Sequence, residues 1–190
     1  MAEKKTTKSF KENLAKELNG LLEDFGFSVK TEFGKGKLIC PSFEETNQID
    51  IIIHKDSSNP NSFVGIEIEF FTSQQQIKKN LLKFKDLANG SKRTKLGLLH
   101  LILWDVNVSK QFITKLIYKE LTELTSFKTN RFFYTTYLYY FEDKRQTKAE
   151  PEKLVKKDWA FGSKLLALLK AVFNLNDEET NKILRKMEWW

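Results

Sequence analysis

Two short segments carry the side chains best suited to chemistry. Asn47-Gln48-Ile49-Asp50-Ile51-Ile52-Ile53 is followed, after the polar run Lys55-Asp56-Ser57-Ser58-Asn59-Pro60-Asn61, by Gly65-Ile66-Glu67-Ile68-Glu69-Phe70. Both read as strands joined across a turn. Side chains alternate faces along extended backbone, so Glu67 and Glu69 share one face while Val64, Ile66, Ile68 and Phe70 take the other. Like charges held this close resist burial unless something positive lies between them, and one divalent cation meets that need. Oxygen donors suit Mg2+, with Mn2+ as a substitute. Asp50 and Glu67 would each give a carboxylate, the Ile68 carbonyl a further hard ligand, and Glu69 would orient or activate a water. These are the parts that phosphodiester hydrolysis requires. A blander arrangement stays open, in which Glu67 and Glu69 form the solvated face of an edge strand and Asp50 pairs with a lysine.

The rest of the composition narrows the partners. A chain of 190 residues with 41% hydrophobic content and only 3 Pro can form one domain with a sizeable core. Its formal net charge of +7 favours a polyanion, with nucleic acid, DNA first, ahead of an acidic membrane surface. Gly34-Lys35-Gly36-Lys37 offers two lysines, Lys35 and Lys37, to a phosphate backbone. Cys40 is alone, so no intramolecular disulfide can form, and a cytoplasmic, reducing compartment is expected. The apolar run Leu96 to Trp104 is too short to span a bilayer. With only His54 and His100 a zinc site is poorly supported, no Gly-x-Ser-x-Gly elbow suggests a serine hydrolase, and no phosphate-binding loop suggests an ATP-driven motor.

Several elements must position the acidic group. After a basic tail over residues 1–8, Ser9 could cap a helix whose stripe is Phe10, Leu14, Leu18, Leu21 and Phe25, ended by Gly26. Gly34 and Gly36 read as a turn into a first strand, Lys37 to Cys40, closed by Pro41. Asp50 falls on the second strand and the glutamates on the third. Ile77, Leu81, Phe84 and Ala88 predict a helix over Ser73 to Ala88, stopped by Asn89-Gly90. Leu96 to Trp104 suits a central strand, Ser109 to Leu124 a helix, and Arg131 to Phe141 an aromatic strand. Glu142 to Asp158 reads as a solvated connection or helix. Helices over Lys164 to Phe173 and from Asp177 to Glu188, capped by Asn176, complete the chain.

The order α-β-β-β-α-β with this acidic pattern resembles the PD-(D/E)xK nuclease superfamily over about residues 9 to 104. Asp50 falls at the motif's aspartate, Glu67 at its second acid, and Glu69 where lysine is usual, as in the glutamate-for-lysine variant of some type II restriction endonucleases. Ile49 stands in place of the motif's proline. The elements together predict a single α/β domain over residues 9–141, its mixed central sheet flanked by helices, with a helical C-terminal extension over 142–190; the resemblance implies that its core is restriction-endonuclease-like. It implies a Mg2+-dependent DNA endonuclease with Asp50, Glu67 and Glu69 catalytic. The N-terminal helix of such enzymes often lends a further glutamate, here Glu17. The helix after the motif often flanks the cleft, so Gln75, Lys78 and Lys79 are expected at the scissile or a neighbouring phosphate, and the two lysines are candidates to replace the motif lysine. A glutamate there leaves charge neutralisation to the metal and nearby basic groups. Two further readings share these residues: a non-catalytic nucleic-acid-binding protein that keeps the fold, and a nuclease that processes RNA or branched DNA. Cutting both strands of a duplex calls for two sites, hence a homodimer through residues 164–190, unless Leu165, Leu166, Leu168, Leu169, Val172, Trp189 and Trp190 serve only the monomer's own core.

Overall fold

Phe10, Leu14, Leu18 and Leu21 recur at helical spacing, and the helix they define, α1 (Ala2–Leu22), buries all four. The computed structural model describes residues 2–33, 49–56, 62–70, 95–104, 115, 131–140 and 149–187. α1 begins well before Ser9, so that residue lies within the helix, its Oγ accepting from Asn13 Nδ2 at 3.4 Å. A 3-10 turn over Glu23–Phe25 ends at Gly26, whose φ of 74° is the left-handed conformation that glycine adopts without a Cβ penalty.

Five strands follow: β1 (Phe27–Phe33), β2 (Ile49–Lys55), β3 (Phe63–Phe70), β4 (Leu96–Trp104) and β5 (Phe132–Tyr140). They form one mixed sheet in the order β1-β2-β3-β4-β5, antiparallel across β1-β2-β3 and parallel across β3-β4-β5. β4 has a strand on either side, in keeping with its apolar run. The expected first strand at Lys37 to Cys40 lies outside the described residues. β1 is instead built from Phe27-Ser28-Val29-Lys30-Thr31-Glu32-Phe33, a segment whose alternation the sequence reading passed over. The helices expected over Ser73 to Ala88 and Ser109 to Leu124 also lie outside the described residues, apart from helical Lys115.

Three helices close the described chain: α2 (Ala149–Lys157), α3 (Trp159–Phe173) and α4 (Asp177–Lys186). With α1 these make four α-helices among the described residues, so the protein is an α/β structure. α1 and α3 cover one face of the sheet, where Phe10, Leu14 and Leu18 join Ile51, Ile53, Val64, Ile66, Leu99, Leu101, Leu165 and Leu169 in one core. Leu165, Leu166, Leu168, Leu169 and Val172 of α3 are buried within the chain itself, while Trp159 at its start is exposed. Glu142 to Asp158 resolves at its end into α2, which buries Leu154 and Val155. No described helix is long and apolar enough to cross a membrane.

Polar contacts fasten the helices. Tyr137 donates to Asp158, the N-cap of α3, whose other oxygen accepts from Phe161 N at 3.1 Å. Tyr139 donates to buried Glu150, and Lys164 Nζ lies 3.3 Å from Thr135 Oγ1, so alternate residues along one face of β5 each hold a C-terminal helix. Burial and the adjacent carboxylates raise both tyrosine pKa values well above the usual phenol range. Asn176 caps α4 in a full capping box with Glu179. Lys55 at the end of β2 reaches Glu179 at 2.6 Å and holds its carboxyl below the usual range.

Two tests follow from this packing. A Cβ on Gly97 of β4 would stand 3.0 Å from Val172 Cγ2 and 3.1 Å from Val64 Cγ2. Gly97→Val is therefore expected to overpack the sheet–α3 interface and cost about 1–3 kcal/mol, read by urea denaturation. His54 on β2 is held below its usual pKa first by burial and then by Lys30, outweighing the raising effects of a hydrogen bond with the Ser62 backbone and of Asp56. The unfolded chain takes up that proton more readily, so stability is full above the ordinary histidine pKa of about 6.5 and declines as pH falls through it toward the lower folded value. His54→Asn should flatten this part of a Tm-against-pH profile.

Candidate active site at the end of the β2–β3 ladder

Backbone pairing between β2 and β3 runs through Ile53↔Val64, Ile52↔Gly65 and Ile51↔Ile66. Carried one residue further, that register sets Asp50 beside Glu67. There the regular ladder gives way to a side chain, because Asp50 Oδ2 accepts from Ile68 N at 2.8 Å. A carboxylate thus replaces a backbone carbonyl as the partner of the amide between the two glutamates. An extended residue projects its N–H and C=O to the same side, so the Ile68 carbonyl opens toward this seam as well.

The other oxygen of Asp50, Oδ1, is met by Lys11 Nζ of α1. The pair is largely shielded, with side-chain exposures of 22% for Lys11 and 15% for Asp50. Lys11 precedes Ala15, Leu18 and Leu22 at helical spacing, which places it on the buried stripe of α1. Its aliphatic stem can run along that apolar surface and deliver the ammonium to the strand end.

Glu67 and Glu69 project from β3 to the face opposite the α1–α3 core, since Val64, Ile66 and Ile68 occupy the core side. β3 lies between β2 and β4 and is no edge strand, and the two glutamates are buried, at 4% and 9% exposure. Of the blander expectation, therefore, a lysine on Asp50 is found, while a solvated edge face for the glutamates is not. Glu67 pairs in register with His100 and Glu69 with Ile102 on β4. His100 is fully buried, with Nδ1 3.3 Å from Tyr134 Oη on β5. A polar row thus crosses three parallel strands, on a face that also carries the buried Ile52, Phe63, Leu96, Leu98 and Ile102.

The remaining expected residues divide into two groups. Glu17, 27% exposed, has its carboxylate 3.9 Å from Lys156 of α2, while Lys11, six residues earlier on α1, is the group that reaches Asp50. Lys35, Lys37, Gln75, Lys78 and Lys79 lie outside the described residues. The sequence reading missed Lys11, although a charged residue in register with Ala15, Leu18 and Leu22 was a legible signal for it.

Among the described residues, no three His, Cys, Asp or Glu side chains converge closely enough to hold a metal ion by themselves. Mg2+ seldom uses such a cage. It commonly takes one or two carboxylates, with water and substrate phosphate filling the octahedron. Asp50, Glu67 and the Ile68 carbonyl have the donor chemistry for that role, and they lie toward the carboxyl end of β3, where open α/β sheets tend to place their ligands. Set against protein-family models, curated proteins and solved structures, the chain has no match in any of the three.

Proposed function

We propose that the protein is a Mg2+-dependent DNA endonuclease with a restriction-endonuclease-like core, the glutamate-for-lysine variant of the PD-(D/E)xK pattern. The observation that carries this reading is the seam itself: Asp50 at the end of the β2–β3 ladder, bonded to the amide that separates Glu67 from Glu69. Asp50, Glu67 and the Ile68 carbonyl would hold the ion. The ion would supply Lewis acidity toward a phosphate oxygen and a more acidic bound water. Glu69, on the same face as Glu67, would orient that water and accept its proton. The net charge of +7 supports a polyanionic substrate.

One observation favours a second reading, a nucleic-acid-binding protein without catalysis. Lys11 already neutralises Asp50, as it would in a structural ion pair. Metal-independent, salt-sensitive DNA binding would mark that case.

The two readings separate in one experiment. Purified protein is incubated with linear, circular, single-stranded and branched DNA, and with RNA, in Mg2+ or Mn2+, beside Asp50→Asn and Glu67→Gln. The nuclease reading expects cleavage of DNA by the wild type and a loss of more than about a hundredfold in each variant. Equal cutting by wild type and variants, or none by any, would overturn it, and cutting confined to RNA or branched DNA would reassign the substrate.

A further inference from the structure

We propose that Lys11 is a resident cation of the acidic seam, which a divalent metal must displace from Asp50 in order to bind; this inference rests on the nuclease reading above. Both oxygens of Asp50 are engaged, Oδ1 by the Lys11 ammonium and Oδ2 by the Ile68 amide. The amide belongs to the strand and stays. The ammonium sits at the end of a flexible four-carbon stem and can withdraw by rotamer change without movement of α1. A carboxylate oxygen has lone pairs enough for two partners. A metal ion and an ammonium on the same oxygen would nevertheless stand close together, and their repulsion is strong in a seam this shielded from water. The two cations therefore exclude one another, and occupancy by metal depends on how firmly Lys11 is held.

The placement of Lys11 fits this role. A lysine on a buried helical stripe is costly unless its ammonium finds an anion, and Asp50 is the anion it finds. The metal-free protein is thereby kept from leaving Asp50 as an uncompensated charge. Once displaced, the ammonium remains tethered to α1 and adds positive charge near the carboxylates, where Glu69 stands in place of a lysine.

The test compares Mn2+ binding to wild type, Lys11→Met, Lys11→Arg and Glu67→Gln by titration calorimetry, together with Tm measured with and without metal. Lys11→Met keeps the stem and removes the charge, and should bind Mn2+ at least about tenfold more tightly than wild type, with a larger metal-induced rise in Tm. Lys11→Arg keeps the charge and controls for disruption of α1; it should bind no more tightly than wild type. Binding by Lys11→Met where wild type shows none also supports displacement. Wild-type binding that is abolished in Glu67→Gln but unchanged or weakened in Lys11→Met overturns the inference and leaves the metal site standing. If Mn2+ binds to neither wild type nor Lys11→Met, the metal site and the inference fall together. If Lys11→Met does not fold, Lys11→Gln replaces it with the same expectation.

Discussion

Carboxylates gathered at one end of a sheet can be withdrawn from water only while donors or cations face them. In this protein that constraint is met at Asp50, which takes one proton donor from the neighbouring strand and one from a helix. The first contact ends the β2–β3 ladder and turns a backbone position into a side-chain position. The second fixes which turn of α1 lies over the strand end. Together they relate the helix layer to the sheet beside the buried glutamates of β3.

The opposite margin of the sheet is organised by neutral–ionic pairs. β5 presents Thr135, Tyr137 and Tyr139 on one face, and each meets a polar group of α2, α3 or the junction between them. Tyr137 also packs edge-on against Phe161, with ring centroids 5.7 Å apart, so its ring contributes apolar contact while its hydroxyl anchors the α3 cap. An aromatic strand was expected over these residues, and its use as a packed face follows from that double character. On the other face Tyr134 turns to His100 and thereby extends the polar row that starts at Glu67.

Much of this was legible because its cause is local. Alternation in Val64 to Phe70 separated core side chains from carboxylates, the apolar run from Leu96 announced a central strand, and Asn176 ahead of Asp177, Glu178 and Glu179 announced a helix cap. What was missed depends on partners distant in the chain. β1 alternates Phe27, Val29 and Phe33 with Ser28, Lys30 and Glu32, but that local pattern does not reveal that Ile49 to Lys55 is its partner. The place of Lys11 on the apolar stripe of α1 was legible, but only Asp50, 39 residues on, gives its ammonium a destination. Glu17 has the right residue type on the same helix, but six positions of helical rotation turn it toward Lys156 on α2.

The contact between α4 and the end of α1 carries a consequence for how the fold is reached. Lys186 bonds the Gly20 carbonyl at 2.8 Å and Asp24 at 2.6 Å, across sequence separations of 166 and 162 residues. β3, β4 and β5 add parallel pairings that no tight hairpin can supply. The helix layer over the sheet is thus assembled from both extremes of the described chain, and α1 completes its surroundings only after α2, α3 and α4 have been synthesised. Closing such long loops costs entropy before the contacts repay it. The sheet face under α3 therefore passes through a period of exposure on the ribosome, and its apolar strands depend on the late helices to withdraw them from association with other chains.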